Sequence, residues 1–518
     1  MRYLLGLVAG AGLAISASAA EVAIGLKTEP SAIDPHFAIL GANQQISEQI
    51  FDTLVGRDET LRPVPALATS WRLLDETTWE FALRKGVVFH DGTPFTAADA
   101  VFTIARAPAV PNSPASYAPY VSHIAEAVAV DDLTLRIRTK GPYPTLPLDL
   151  SELYVVSKKM AEHATTDDFN KGKAAIGTGA YRFVEWLPGQ RLVLARNENY
   201  WGAKPAIERV VFRVLPSDPS RVAALLAGDV SLIEAVPPAD LAQLRKNPSV
   251  AVWSAASTRL IYLHMDSARA TTPFATDKSG APLASNPLRD RRVRLALSKA
   301  INRQAIVERI LEGSASVAGQ MVPQGLVGWN PVLVPVPYDP DGAKRLLVEA
   351  GYPGGFRLTL HGPNNRYVGD EKIALAIAQM WARIGIETKV ETMPSNLFFT
   401  RATKQEFSIF LIGFGSATGD SANGMRNVLA SYDAAGGTGA NNRGRYANPE
   451  FDRLLSQADR TLDPAAREKL LQDAAAVAFG DVAIIPIEFQ ANDWATRKGF
   501  RYHARMDEST TATDLAPE

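Results

Sequence analysis

The chain has 518 residues, more than one hydrophobic core usually holds, so two or three domains are expected. Hydrophobic residues make up 46% and charged residues 21%, an ordinary globular composition, and the formal net charge of -1 leaves no general electrostatic case for a nucleic-acid partner. There is no cysteine, which excludes disulfides, thiol catalysis, thiolate metal centres and a lipid attached through cysteine.

The first twenty residues, "MRYLLGLVAGAGLAISASAA", carry one basic residue, a short apolar run and then small residues. They read as a secretory signal peptide cut near Ala19 or Ala20, which places the mature protein in the periplasm. "EVAIGL" then alternates as a strand, and a helix is expected over 44–55. Residues 71–90 read as a hairpin, with Thr96 capping the helix that follows. A strand lies around 126–139, and a second hairpin over 175–202 turns at Pro188-Gly189. Residues 207–235 read as strand, helix and short strand. The second half alternates helices and strands, with Asn302 capping a new helix, and ends in the helix 464–479 and the strand "VAIIPIEF". This order predicts an α/β fold.

Few motifs for chemistry are present. The seven histidines include no pair at i, i+4, and neither a G-x-S-x-G elbow nor a phosphate-binding GxxxxGK[ST] occurs. No metal, no cofactor and no catalytic set is therefore expected. In "HDGTP", His90 and Asp91 look like an active-site pair, but Asp91-Gly92 is a favoured turn and both side chains can bond local backbone groups. Among the tryptophans, Trp79, Trp186 and Trp381 sit in periodic runs that suit a core, whereas Trp201, Trp329 and Trp494 lie beside turns or element ends.

One segment, "PVPALATSWRLLDETTWEFALRKGVVFHDGTPFTAADAVFTIAR", closely resembles the peptide/nickel class of ABC-transporter solute-binding proteins, the dipeptide- and oligopeptide-binding family. The likeness continues in "GTGAYRFVEW", "LVLARNENYWGAKPAIERVVFRV", "VRLALSKAINRQAIVERILEG", "YANPEFDRLLSQA" and "AIIPIEFQ", in order along nearly the whole mature chain. The resemblance implies a two-lobed periplasmic-binding-protein fold with a hinge and a small accessory domain. Lobe I would comprise 21–61, 176–270 and 481–518, the accessory domain 62–175 and lobe II 271–480. The lobe crossings near residues 270 and 480 would supply the hinge.

It also implies a receptor, not an enzyme: a monomer that binds a peptide or peptide-like solute and delivers it to an inner-membrane ABC permease. Peptide binders of this family use a second-lobe aspartate after an aromatic residue to hold the ligand's amino terminus. The corresponding run here is "IFLIGFGSATGDSANGMRNVL", with Phe414, Gly415 and Ser416 ahead of Asp420. The spacing to Asp420 is longer than usual, and two readings stand: an amine anchor, or a capping or loop aspartate that Arg426 neutralises. Further cleft candidates are His36 and Phe37, then Arg366 and Tyr367, then Phe489, Gln490, Asn492 and Trp494. Arg366 has the fork geometry to grip a carboxylate. A different solute on the same scaffold (an opine, oligosaccharide or metal chelate), an exported hydrolase and a chaperone-like role are the competing functions.

Overall fold

The computed structural model describes residues 21–416 and 418–518, so the leader expected over 1–20 lies outside the described residues. A twelve-stranded mixed sheet runs through the molecule, and two long antiparallel strands, Val250–Met265 and Ile484–Arg497, lie at its middle. On one side the sheet continues through Leu232–Ile233, Glu21–Leu26, Arg209–Val214, Arg191–Arg196 and Tyr181–Leu187. On the other it continues through Ile409–Phe414, Arg357–Pro363 and Glu387–Met393. Glu21–Leu26 pairs in parallel with both Arg209–Val214 and Leu232–Ile233, and the helix Asp218–Ala227 makes the crossover between those two.

The long strands join two separate cores. Val22, Ile24, Phe212 and Trp494 belong to one, and Leu260 to Leu263 with Ile484, Ile485 and Phe489 belong to the other. Between them the register slips: Ala256 pairs with Ala491 and Leu260 with Phe489, so Ser257, Thr258 and Arg259 face Gln490 alone. An irregularity of this kind bends a strand pair. The two cores meet along the strand pair at this bulge. The apolar strand ends continue straight into the second core.

A third core surrounds a four-stranded antiparallel sheet of Ala68–Leu73, Thr78–Leu83, Thr134–Thr139 and Ile124–Asp131, on which the helix Ala97–Arg106 packs. This core begins at Leu54 and ends at Val155, whereas Val156, Ala161, Phe169 and Ala175 pack into the first lobe. The buried residues of this core thus run from Leu54 to Val155, with Ile39, Ile176 and Trp201 packed against it.

Local differences have local causes. The first helix is Gly41–Ile50 rather than 44–55. Phe51 is extended, Leu54 and Val55 cross into the accessory core, and the Asp52 carboxylate accepts from Thr178, Tyr200 and Trp201. The expected strand at 126–139 is a hairpin, its bend held by Asp131 accepting from the Leu133 amide. The caps agree with the sequence: Thr96 N–H donates to Asp99, and Asn302 accepts from the Ala305 amide. No helix among the described residues is long and apolar enough to cross a membrane.

Candidate functional site

The "HDGTP" turn is structural. Asp91 accepts from the amide and hydroxyl of Thr93, while His90 accepts the Gly177 amide on Nδ1 and reaches the Gly179 carbonyl through Nε2. Burial holds the His90 ring down at about 4, so it stays neutral. It fastens the accessory unit to lobe I at a place where Gly177 lies against the Ile50 carbonyl.

A cluster of a different kind lies at the bulge between the lobes. Arg259, inside the bulge, makes a two-pronged ion pair with Glu508 of the C-terminal loop, Nε to Oε1 at 2.9 Å and Nη2 to Oε2 at 2.8 Å. Ser257 donates to the same carboxylate at 2.9 Å. Just past the adjoining strand, Gly415 lies against the Arg259 guanidinium, and within that strand a side chain on Gly413 would run into Tyr367. The Tyr367 hydroxyl donates to the Gly413 carbonyl at 3.2 Å, and the Arg366 guanidinium stands 5.3 Å from the centre of the Tyr367 ring. Arg366 is exposed and has no acid partner among the described residues. Although its side chain reaches solvent, partial desolvation by the surrounding protein, and after it the like charge of Arg259, pulls its pKa down.

Across the gap, the accessory side meets lobe II. A side chain on Gly419 would run into Leu61, and Arg62 donates to the Gly325 carbonyl at 3.4 Å. His123 stacks on Tyr143 at 4.1 Å, Tyr143 donates to Asp149 at 2.5 Å, and the charge of Arg426 acts on all three.

Several sequence expectations are corrected by this geometry. Arg426 pairs with Asp459, at 2.5 Å, and not with Asp420. Asp420 is buried with both oxygens in use: Oδ2 accepts from Arg467 at 2.6 Å and Oδ1 from the Ala422 amide at 2.8 Å. The capping reading describes these contacts, with Arg467 as the counter-charge. His36 is fully buried between Arg106 and the Tyr154 carbonyl, and Phe37 follows it in the same loop. Trp494 packs in the lobe I core and donates to Thr510, and Asn492 donates to the Arg505 carbonyl. Phe489 belongs to the lobe II core.

Arg366, Tyr367, Phe414, Gly415, Ser416 and Gln490 do come together around the bulge; Ser416 accepts from Thr258 there. Sequence reasoning missed Arg259, Glu488 and Glu508. The available signal was a lone charge inside or beside an apolar run, as in "STRLIYL" and "AIIPIEF". No group of three or more metal-ligating side chains occurs among the described residues.

Two lobes joined by a strand pair, with charged groups gathered at the crossing, define a two-lobed binding protein. Residues 62–436 match the family described as bacterial extracellular solute-binding proteins, family 5, and the chain belongs to that family. Heme-binding protein A of Haemophilus influenzae is 29% identical over 493 residues, covering 88% of this chain and 85% of its own. The glutathione-binding protein GsiB of Pectobacterium atrosepticum is 27% identical over 469 residues, covering 88% and 86%. The solved structure of the periplasmic binding protein DppA of Helicobacter pylori, in complex with the peptide STSA, superposes with a TM-score of 0.77 at 27% identity, covering 96% of this chain and 98% of its own. These are the two-lobed periplasmic binding proteins that the sequence resemblance implied.

Proposed function

We propose that this chain is the periplasmic receptor of an ABC importer, a monomer that closes over a peptide or peptide-like solute and presents it to an inner-membrane permease. The observation that carries the solute class is Arg366. It is an exposed guanidinium with no acid partner among the described residues, set beside Tyr367 at the lobe crossing. A planar fork of donors suits a carboxylate, the group that every short peptide carries at one end. The cluster at Arg259 is otherwise self-neutralised by Glu508, so Arg366 supplies the unbalanced positive charge. Two relatives, one named for binding glutathione and one solved with a tetrapeptide, are consistent with a peptide-like solute.

Closure uses the bulge at Ser257–Arg259 as hinge, and binding rather than conversion is the reaction. The mature chain, purified without added ligand, is unfolded and its released solute identified by mass spectrometry. A peptide or peptide-like acid supports the proposal. An oligosaccharide or metal chelate overturns the peptide reading while keeping the receptor, and turnover of a bound solute overturns the receptor reading.

A further inference from the structure

We infer that Glu488, on the strand opposite the bulge, is the subsite for an ammonium group of the solute. This inference rests on the reading that the chain closes over a small solute at the lobe crossing. Glu488 is 0% exposed, and neither carboxyl oxygen has a hydrogen-bond partner among the described residues. A carboxylate offers roughly four acceptor positions, and buried polar groups in native proteins are rarely left without a partner.

Register shows where the side chain sits. Glu488 pairs with Ile261, and Ile261 pairs with Gly413, so the three share one face of the sheet. Arg259, in the bulge two residues before Ile261, is near enough for its charge to act on Glu488. Gly413 and Gly415 carry Tyr367 and Arg259 over this same face. Glu488 therefore lies at the edge of the lobe II core, beside Ile261 and on the side of the sheet that carries Tyr367, with the charge of Arg259 reaching it. Gln490, two residues further along the strand, also has a buried Nε2 with no partner among the described residues.

The other acids nearby are in use. Glu508 is held by Arg259 and Ser257, Asp420 by Arg467, and Asp493 by Ser254 and Ser314. Glu488 alone among these has no donor on either oxygen. Burial pushes its carboxyl well above the usual range, with Arg259 opposing. An incoming ammonium would supply the missing donors and stabilise the ionised form. With Arg366 for the carboxylate, the site would take both ends of a zwitterion.

The test uses calorimetry on the mature chain, with di- to tetrapeptides and glutathione, each with a free and an acetylated amino terminus, and one amine-bearing opine. For the probes that bind, Glu488→Gln should weaken free-amine ligands roughly 30-fold or more, the low end for truncating one partner of a buried charge pair. Acetylated ligands should bind both proteins alike. Glu488→Asp should fall between, and thermal melts identify a variant that has lost its fold. Equal binding of free-amine ligands by wild type and Glu488→Gln, or equal losses for free and acetylated ligands, overturns the assignment. If only the opine binds, and depends on Glu488, the peptide reading fails and Glu488 stands. If no amine-bearing probe binds, the Glu488 assignment falls.

Discussion

Arg467 and Asp420 form a buried ion pair, Nη1 to Oδ2 at 2.6 Å, which ties the helix Pro464–Gly480 to the loop that follows the strand Ile409–Phe414. The loop is thus held by the aspartate that the sequence offered as a ligand anchor. Asp420 also accepts from Ala422, and its own carbonyl accepts from Ser416. Asp420→Ala leaves Arg467 buried without its acid and should cost about 3–5 kcal/mol in urea unfolding. Asp420→Ala combined with Arg467→Met should recover part of that loss. If the single variant is as stable as wild type and the two substitutions are additive, the pair does not hold the loop.

Buried histidines make the fold sensitive to acid. His36 and His264 are fully buried, with pKa values pulled down to about 4 and about 3, mainly by burial. His36 must stay neutral because Arg106 donates to its Nδ1 at 2.9 Å. Between the free-histidine pKa near 6.5 and those lowered values, the unfolded chain binds protons that the folded chain excludes. Stability therefore falls as pH drops through that window, by about 1–3 kcal/mol per histidine. Urea midpoints at pH 7 and pH 4.5 check this, and a flat profile refutes it.

Asp149 works in the opposite direction. Burial raises its carboxyl to about 7, against a lowering contribution from Tyr143. The folded chain here holds a proton that the unfolded chain has already released above pH 4, so this contribution fades as pH climbs from about 4 to 7. Asp149→Asn should remove it, making the variant gain on wild type over that range by a few kcal/mol at most. A stability difference independent of pH would show that Asp149 is ionised in the fold.

Gly177 is needed for space and not for its backbone angle. A Cβ there would lie 1.9 Å from the Ile50 carbonyl oxygen, whereas one at Gly86, where φ is +82°, meets nothing within 4 Å. Gly177→Ala should therefore destabilise by roughly 3 kcal/mol or more. Gly86→Ala should cost about 1 kcal/mol, from backbone strain alone. Thermal melts of the two variants rank the effects, and the reverse order would contradict the close approach of the two segments.

Arg366 should report on solute without affecting the fold. It touches the Tyr367 ring and no acid among the described residues, so Arg366→Gln should melt with wild type. Its affinity for carboxylate-bearing solutes should fall by roughly 2–3 kcal/mol, in line with a charge-assisted bidentate contact. Unchanged affinity for such a solute would remove Arg366 from the site.

Periodicity made the elements legible where one face of a strand or helix is buried against its own neighbours. The hairpin expected over 71–90, formed by Ala68–Leu73 and Thr78–Leu83 with the second strand ending earlier, the helix opened by Thr96 and the strand–helix–strand over 207–235 all lie where local pattern and tertiary burial agree. The first helix was overextended because Phe51, Leu54 and Val55 continue an apolar run whose burial is in a different core. Trp494 and His36 looked available because they stand at element ends. Each is enclosed by segments far away in the chain, Thr510 against Trp494 and Arg106 against His36.

Local chemistry in the sequence determined the turns, caps and alternating elements, and its ordered segments carried the likeness to a two-lobed receptor. Only the tertiary structure decided which charges are free. Asp420 and Arg426 are taken by Arg467 and Asp459, whereas Arg366 and the carboxyl of Glu488 have no opposite charge in contact among the described residues. An ionisable residue becomes a site or a strut according to which distant side chain reaches it, and that pairing depends on sheet register and on the close approach of segments such as Gly413 and Tyr367.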